Sequence, residues 1–246
     1  MKRSLYKLSI ILVFLQMTFV KMNNPPHLEL DVSIAKFKVI KNGNSNRKFI
    51  WLHGDEKTAK MALEYHIKRY QGTAYLIEND SREINIKNGI IDPNRIFSKA
   101  GAKKNLNKYN PYWSRNKKKT VLDSISSART ILFKELFSDQ ESIVISLHNN
   151  YKGYNIRSEI NNSDEISIKK NQNPRDFFLC TNENDYNILA KSPFNAVLQK
   201  STPSTDDGSL SWAALGKKTR YINIETRLGW LSVQKKMLKY LEENIP

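Results

Sequence analysis

Residues 49–59 read FIWLHGDEKTA, and this stretch passes from an apolar run through a polar turn into a helical pattern. The run from Phe49 to Leu52 predicts a buried strand, and the spacing of apolar residues after Lys57 predicts a helix. His53 and Glu56 lie three residues apart at the end of this strand. Both side chains can turn toward one point there, which is what two ligands of a metal ion require. The spacing also fits a surface turn in which Glu56 favours the start of the helix.

The composition describes a globular protein with a strongly basic surface. The chain has 246 residues, of which 39% are hydrophobic and 26% charged, enough for one domain with its own core. Its formal charge of +16 favours contact with polyanions and fits a lysine-rich solvated surface equally well. No zinc-finger spacing or RNA-binding signature accompanies the charge, which disfavours nucleic acid as a partner. We expect the basic stretch 99–119 to form a loop. The lone Cys180 excludes an internal disulfide and is predicted to be buried in a strand.

The N-terminus resembles a secretory leader. Residues 2–7 carry three basic side chains and precede a mostly apolar run over residues 8–20. A membrane-spanning helix needs about 20 such residues, so a removable signal is the better interpretation. We therefore predict a leader over residues 1–22 and one folded domain over residues 28–246. The protein is expected to be exported, periplasmic or secreted, with no stable membrane span once the leader is removed. A leader retained as an anchor is the alternative.

Strand-like and helical patterns alternate along the rest of the chain. This alternation predicts a single α/β domain with a mixed, mostly parallel central sheet flanked by helices. Ligands of such sheets bind beyond the carboxyl ends of the strands. The turn at residues 42–46 predicts a hairpin into the strand at Phe49. Residues 155–175 and 201–218 are predicted as polar connections. The predicted strands are 28–40, 49–52, 73–78, 82–86, 142–150, 177–180, 195–198 and 220–225, and the predicted helices are 57–70, 120–137, a short one from 184, and 228–243.

Three of these strands end on polar residues that suit a metal site. The first delivers His53 and Glu56, the strand 142–150 delivers His148, and the last strand delivers Glu225. Two histidines and one carboxylate leave a fourth tetrahedral position for water, as in a catalytic zinc site. Zinc lowers the pKa of that water from about 15.7 to roughly 7. We predict that Glu225 accepts the water proton and passes it to the leaving amine. Taken singly, His148 and Glu225 also fit hydrogen-bonded residues at strand ends.

The order of these motifs resembles the zinc carboxypeptidase-like superfamily, including its succinylglutamate desuccinylase and aspartoacylase branch. Residues 53–58 are similar to its His-Gly-x-Glu ligand turn. Residues 92–97, Asp-Pro-Asn-Arg-Ile-Phe, are similar to its Asp-x-Asn-Arg-x-Phe segment. His148 resembles the third zinc ligand of the family, and residues 222–225 resemble the late strand that ends on the general base. The resemblance extends over about residues 47–243.

The resemblance implies roles for six residues: zinc would be bound by His53, Glu56 and His148, a substrate carboxylate by Asn94 and Arg95, and water would be activated by Glu225. A guanidinium fork can bind a carboxylate through two hydrogen bonds, which agrees with the role of the arginine. Residues 94–95 also fit an exposed turn after a proline. The family's substrate-capping tyrosine is not assigned, with Tyr151, Tyr154 and Tyr186 as candidates, and the family's oxyanion-stabilising arginine is unplaced.

The expected function is that of an exported zinc-dependent hydrolase. It would cleave an amide or peptide bond next to a carboxylate group, with a peptide or an N-acyl amino acid as its substrate, for example a cell-wall peptide. One alternative is a deacylase of small N-acyl amino acids. The other is a non-catalytic, basic envelope-binding protein with the same fold. A further histidine, His66, lies on the apolar stripe of the first helix and is expected to pack in the core.

Overall fold

A large mixed β-sheet forms the centre of the molecule. The computed structural model describes residues 27–139, 141–202 and 205–246, so the expected leader lies outside the described residues. Nine strands form the main sheet in the order β1-β2-β4-β3-β7-β11-β9-β10-β8, and β5 and β6 form a separate pair. The strands are β1 (His27–Asp31), β2 (Lys36–Asn42), β3 (Arg47–Trp51), β4 (Gly72–Ile77), β5 (Ile84–Ile86), β6 (Gly89–Ile91), β7 (Ile143–Asn150), β8 (Glu165–Ser167), β9 (Phe177–Cys180), β10 (Asn195–Leu198) and β11 (Arg220–Arg227).

Six α-helices and two short 3-10 helices complete the described part of the chain. The α-helices are α1 (Lys57–Ile67), α2 (Lys99–Tyr109), α3 (Arg115–Phe137), α4 (Glu183–Leu189), α5 (Leu210–Gly216) and α6 (Leu231–Asn244), and the 3-10 helices are Pro93–Arg95 and Ile156–Asn162. Helices α1 and α6 pack against each other and against β7 and β11. None of the helices in the described residues is both long enough and apolar enough to cross a membrane.

The prediction of an α/β fold around a mixed sheet is confirmed, but the expectation of a mostly parallel sheet is wrong. The four central strands β4, β3, β7 and β11 run parallel. Strands β1 and β2 on one side, and β9 and β8 on the other, pair antiparallel with their inner neighbours. The turn 32–35 joins β1 to β2 as a hairpin, and parallel neighbours need a long crossover that so short a connection cannot provide.

Several local expectations also differ from the structure. The hairpin expected around residues 42–46 does not form, because β4 lies between β2 and β3. The basic stretch 99–119 forms α2 and the beginning of α3 instead of a loop. Ser98 and Ser114 are the N-caps of these helices and accept hydrogen bonds from the backbone of Gly101 and Lys117. The connection predicted at 155–175 contains a 3-10 helix and β8, and the one predicted at 201–218 contains α5.

Two predictions about single buried residues are confirmed. His66 is 2% exposed, stacks on Tyr70 and contacts Phe49 edge-on. Cys180 is fully buried in β9. Burial raises the pKa of its thiol well above the usual range, so this cysteine is a packing residue.

The parallel centre of the sheet brings three polar strand ends to one edge. Strand β7 lies between β3 and β11, and Glu225 on β11 stands opposite His148 on β7. Strand β3 pairs with β7 as far as Ile50, opposite Ser146, so His53 follows at the same edge. Because parallel strands present their carboxyl ends together, residues far apart in sequence converge here.

Candidate metal centre and substrate cavity

Three buried side chains meet at the carboxyl edge of the sheet. His53 Nδ1 lies 2.9 Å from Glu56 Oε1, and His148 Nδ1 lies 3.0 Å from Glu56 Oε2. All three residues are at most 3% exposed, and their candidate ligand atoms lie within 4.8 Å of one another. The structure therefore brings together the three residues that the sequence predicts as metal ligands, in a group that could hold a metal ion.

The two imidazoles face each other in a way that suits a shared cation. Nδ1 of His53 and Nδ1 of His148 are 3.2 Å apart. Two bare nitrogen lone pairs at this distance repel each other, and a proton or a metal cation between them removes the repulsion. Two nitrogens bound to one tetrahedral zinc at about 2.0–2.1 Å would lie about 3.3 Å apart. The donor set therefore fits zinc in both chemistry and spacing.

The turn that carries His53 and Glu56 depends on a glycine. A Cβ atom at Gly54 would lie 2.2 Å from the carbonyl oxygen of Asn79, so only glycine lets the turn approach that backbone. The amide of Gly54 donates to Ser81 O at 2.9 Å. The buried indole of Trp51 donates to the carbonyl of Glu56 at 3.1 Å and holds the turn from the other side. Glycine at this position is thus needed to place both candidate ligands.

Asp92 orients the first histidine. Its Oδ1 lies 2.9 Å from His53 Nε2 and also accepts the backbone N–H of Asn94 at 2.8 Å. A carboxylate on the second nitrogen of a metal-binding histidine fixes the ring and its tautomer. Burial lowers the pKa of His53, but Glu56 and Asp92 outweigh this effect and raise the pKa to about 9. Asp92 lies within the segment that the sequence singled out, although its contact with His53 was not anticipated.

Two further groups donate hydrogen bonds to Glu56, and one of them, Arg82, was not predicted from the sequence. Arg82 Nη1 donates to Glu56 Oε1 at 2.9 Å, and the backbone N–H of Asn149 donates to Oε2 at 3.0 Å. Burial opposes ionisation of Glu56, yet His148 and His53 hold its pKa well below the usual range. Arg82 lies between β4 and β5 in a polar segment whose contacts depend on the fold, and no local pattern marks it.

Glu225 lines the same cavity, but its hydrogen bonds do not go to the candidate metal ligands. Its carboxylate accepts hydrogen bonds from Asn150 Nδ2 at 3.0 Å and from Asn223 Nδ2 at 3.1 Å. Burial raises the pKa of Glu225, and His148 partly offsets that rise. A raised pKa makes the carboxylate a better proton acceptor than an ordinary glutamate, as general-base chemistry requires.

Asn94 and Arg95 lie on the 3-10 helix and line a cavity of about 330 Å³ that also includes the candidate metal ligands and Glu225. Asn94 Oδ1 accepts the backbone N–H of Leu210 at 3.0 Å, which leaves the amide hydrogens of Asn94 for a ligand. Arg95 Nη1 lies 3.2 Å from Asp207 Oδ2, so an internal carboxylate already contacts this guanidinium. A third of the Arg95 side chain is exposed.

Of the three candidate tyrosines, two line the cavity. The hydroxyl of Tyr151 donates to Asp55 Oδ2 at 2.8 Å, and the hydroxyl of Tyr154 donates to Glu159 Oε1 at 2.6 Å. Tyr186 lies on α4 and does not line this cavity. The exposed Tyr151 is therefore the better candidate for a residue that covers a bound ligand.

A scan against protein-family models and searches of curated proteins and solved structures found no match for this chain.

Proposed function

We propose that the chain is a zinc-dependent hydrolase that cleaves an amide or peptide bond next to a carboxylate group. The observation that carries the proposal is the buried convergence of His53 Nδ1, His148 Nδ1 and the Glu56 carboxylate beside a second carboxylate, Glu225, in one cavity. This arrangement also supports the resemblance to the zinc carboxypeptidase-like superfamily.

Zinc held by His53, Glu56 and His148 would polarise the scissile carbonyl and lower the pKa of a bound water. The protein's own part is to keep these ligands aligned and deprotonated. Asp92 would accept a hydrogen bond from the Nε2–H of His53, which leaves Nδ1 for the metal. Arg82 and the Asn149 amide hold the Glu56 carboxylate in place.

Glu225 would accept the proton of the attacking water and deliver it to the leaving amine. Asn150 and Asn223 fix its two oxygens, so the carboxylate is aimed before substrate arrives. Arg82 is a fixed positive charge on the cavity wall and would stabilise the oxyanion that develops on the carbonyl oxygen. Arg95 and Asn94 would bind the substrate carboxylate and set which bond is cleaved.

The proposed substrates are peptides or N-acyl amino acids. Export of the protein and a cell-wall peptide as its substrate follow from the leader-like N-terminus and the basic composition, and they belong to the same proposal. A deacylase of small N-acyl amino acids is the second candidate, because the cavity volume of about 330 Å³ is near the lower end for small-molecule sites.

Metal content tests the proposal directly. We expect the purified full chain to hold close to one zinc per molecule by elemental analysis, and hydrolysis of N-acylated dipeptides to stop with a chelator and return with zinc. His148→Ala should reduce bound zinc at least about tenfold, because it removes one of three ligands.

The matched control is His66→Gln, since His66 is as buried as His148 but lies outside the cavity. It should retain zinc and hydrolysis. A wild-type protein without near-stoichiometric zinc, in which His148→Ala changed nothing, would refute the hydrolase and favour a non-catalytic binding protein.

A further inference from the structure

Residues 99–119 form a basic hairpin, made of α2, the turn 110–114 and the beginning of α3. The hairpin contains eight lysine and arginine residues and no aspartate or glutamate. In the described part of the chain, Lys119 alone of these eight pairs with a carboxylate, that of Asp123. The residues that line the cavity of the candidate metal centre include none from this hairpin, so the proposed hydrolase leaves its charge unexplained.

The solvent-facing side of α2 is made of like charges. Four lysines are exposed on this helix: Lys99, Lys103, Lys104 and Lys108. Lys99 and Lys103 are four residues apart, as are Lys104 and Lys108, and like charges at this spacing repel each other on a helix. The chain supplies no carboxylate within the hairpin to offset the repulsion. An anionic surface outside the molecule would relieve it.

The turn between the two helices presents an aromatic ring to solvent among basic side chains. Tyr112 is 99% exposed. Lys118 Nζ donates to the carbonyl of Pro111 at 3.4 Å, and Lys117 Nζ lies 4.0 Å from the centre of the Trp113 ring. Both ammonium groups therefore lie against the turn that carries Tyr112, and the ring is displayed within a patch of positive charge.

The aromatic residues of the hairpin favour a membrane over a nucleic acid strand as its partner. Single strands are bound by stacking successive bases on several rings. Trp113 packs against Gly89, and the Tyr109 hydroxyl donates to Glu83 Oε1 at 3.1 Å, so Tyr112 is the ring left free in this hairpin. A membrane surface requires only one such ring at the level of the headgroups, with basic side chains against the lipid phosphates.

We propose that the basic hairpin docks the protein on an anionic membrane surface, with Tyr112 in the headgroup layer. This inference goes beyond the proposed hydrolase and does not depend on it, because docking needs no metal ion. Gly101 on α2 packs against Gly208, next to Asp207 in the cavity lining. Docking through α2 would therefore hold the cavity close to the membrane surface.

Binding of the full chain to vesicles gives the test. Sedimentation is measured with vesicles of equal parts phosphatidylglycerol and phosphatidylcholine, and with phosphatidylcholine alone. We expect tighter binding to the anionic vesicles, weakened by salt. The triple variant Lys103→Gln, Lys104→Gln and Lys108→Gln should bind them about 10- to 100-fold more weakly, since each basic side chain near such a surface contributes about fivefold. The apolar run 8–20 is common to wild type and variant, so its affinity for lipid cancels in this comparison.

A second triple variant removes the same charge elsewhere. Lys41→Gln, Lys170→Gln and Lys191→Gln change three exposed lysines outside the hairpin. This variant should bind anionic vesicles at least several-fold more tightly than the hairpin variant, with circular dichroism confirming that both are folded. Equal weakening by the two variants would show that binding follows net charge alone and would overturn the assignment to the hairpin. Equal binding of the wild type to both kinds of vesicle would overturn the docking itself.

Tyr112→Ser tests the exposed ring. It should weaken binding to anionic vesicles several-fold without changing the fold, because the side chain contacts solvent. A single-stranded oligonucleotide is the rival ligand, and a wild-type protein that bound it but not the anionic vesicles would refute membrane docking. Zinc content and hydrolysis in solution should be the same in the wild type and all of these variants. A protein that docked but held no zinc would contradict the hydrolase and support the docking surface.

Discussion

Two carboxylates of the cavity lining, the buried Glu56 and the half-buried Glu159, stand in opposite electrostatic settings. Glu56 is contacted by three basic side chains, Arg82, His53 and His148. Glu159 is contacted by a hydroxyl and an amide, both neutral. The pKa of Glu56 is held well below its usual range, whereas burial raises the pKa of Glu159.

Glu56 is thus held ionised by fixed contacts, whereas the charges near Glu159 are mixed, since Asp207 raises its pKa and Arg95 lowers it. Around Glu56, Asp92 and the backbone of Asn149 add further fixed contacts, as expected for a site that must hold its geometry. We therefore expect substitutions around Glu56 and Glu225 to lower turnover far more than substitutions elsewhere in the cavity lining.

The largest effect is expected for Glu225→Gln in the same cavity. The amide cannot accept the water proton, and loss of a general base typically lowers kcat by about 10²–10⁴-fold. Zinc content should stay at the wild-type level, because the hydrogen bonds of Glu225 go to Asn150 and Asn223 and not to the candidate metal ligands. Steady-state kinetics with elemental analysis of the same sample measures both quantities.

A glutamine variant that retained zinc and full activity would remove Glu225 from the mechanism. The residue would then be a buried hydrogen-bonded carboxylate at a strand end. Thermal unfolding of the variant, followed by circular dichroism, distinguishes loss of activity from loss of fold.

A smaller effect is expected at Arg95, which lines the same cavity. Arg95→Met should lower kcat/KM about 10- to 100-fold for a peptide with a free carboxylate, since it removes a charged hydrogen bond. The same peptide with its carboxylate amidated should be affected little. Asp207→Asn should instead raise kcat/KM for the free-carboxylate peptide, because it removes the carboxylate that competes for Arg95.

The asparagine at position 207 is a mild change, since its side-chain oxygen can still accept the backbone N–H of Ser209 as Asp207 does. A free-carboxylate peptide hydrolysed equally well by wild type, Arg95→Met and Asp207→Asn would show that this guanidinium does not bind substrate. Both variants are read out as the ratio of kcat/KM for the acid over its amide.

Part of the site and of the fold could be predicted from the sequence. His53, Glu56, His148 and Glu225 were predictable because each follows a buried apolar run, and the parallel strands β3, β7 and β11 bring their carboxyl ends together. The alternation of strands and helices likewise predicted an α/β sheet, while its antiparallel flanks were missed. Their strand order depends on which strand inserts between neighbours, as β4 does, and no local pattern carries that information.

The place of Glu159 and Gln199 in the cavity lining could not be predicted, for a related reason. Glu159 and Gln199 are 40 residues apart, and both lie outside the main strands, on a 3-10 helix and just after β10. Glu159 follows no apolar run, and Gln199 follows the apolar end of β10 but is an amide, which is not a usual metal ligand. Arg82 was missed in the same way, because its contact with Glu56 depends on how the segment after β4 folds back over the turn at Gly54.

The smallest expected effect is a several-fold pH dependence of turnover, set by Glu225. Burial raises the pKa of this carboxyl above the usual 4.5, and His148 partly offsets the rise. A general base acts only as the carboxylate, so kcat/KM should be full above the raised pKa and should fall as the pH drops through it, beginning above pH 4.5. Steady-state kinetics between about pH 8 and pH 5 measures this fall, with zinc content determined at each pH as the control. A kcat/KM that stays flat over this range in a zinc-loaded sample would mean that Glu225 does not take up the water proton.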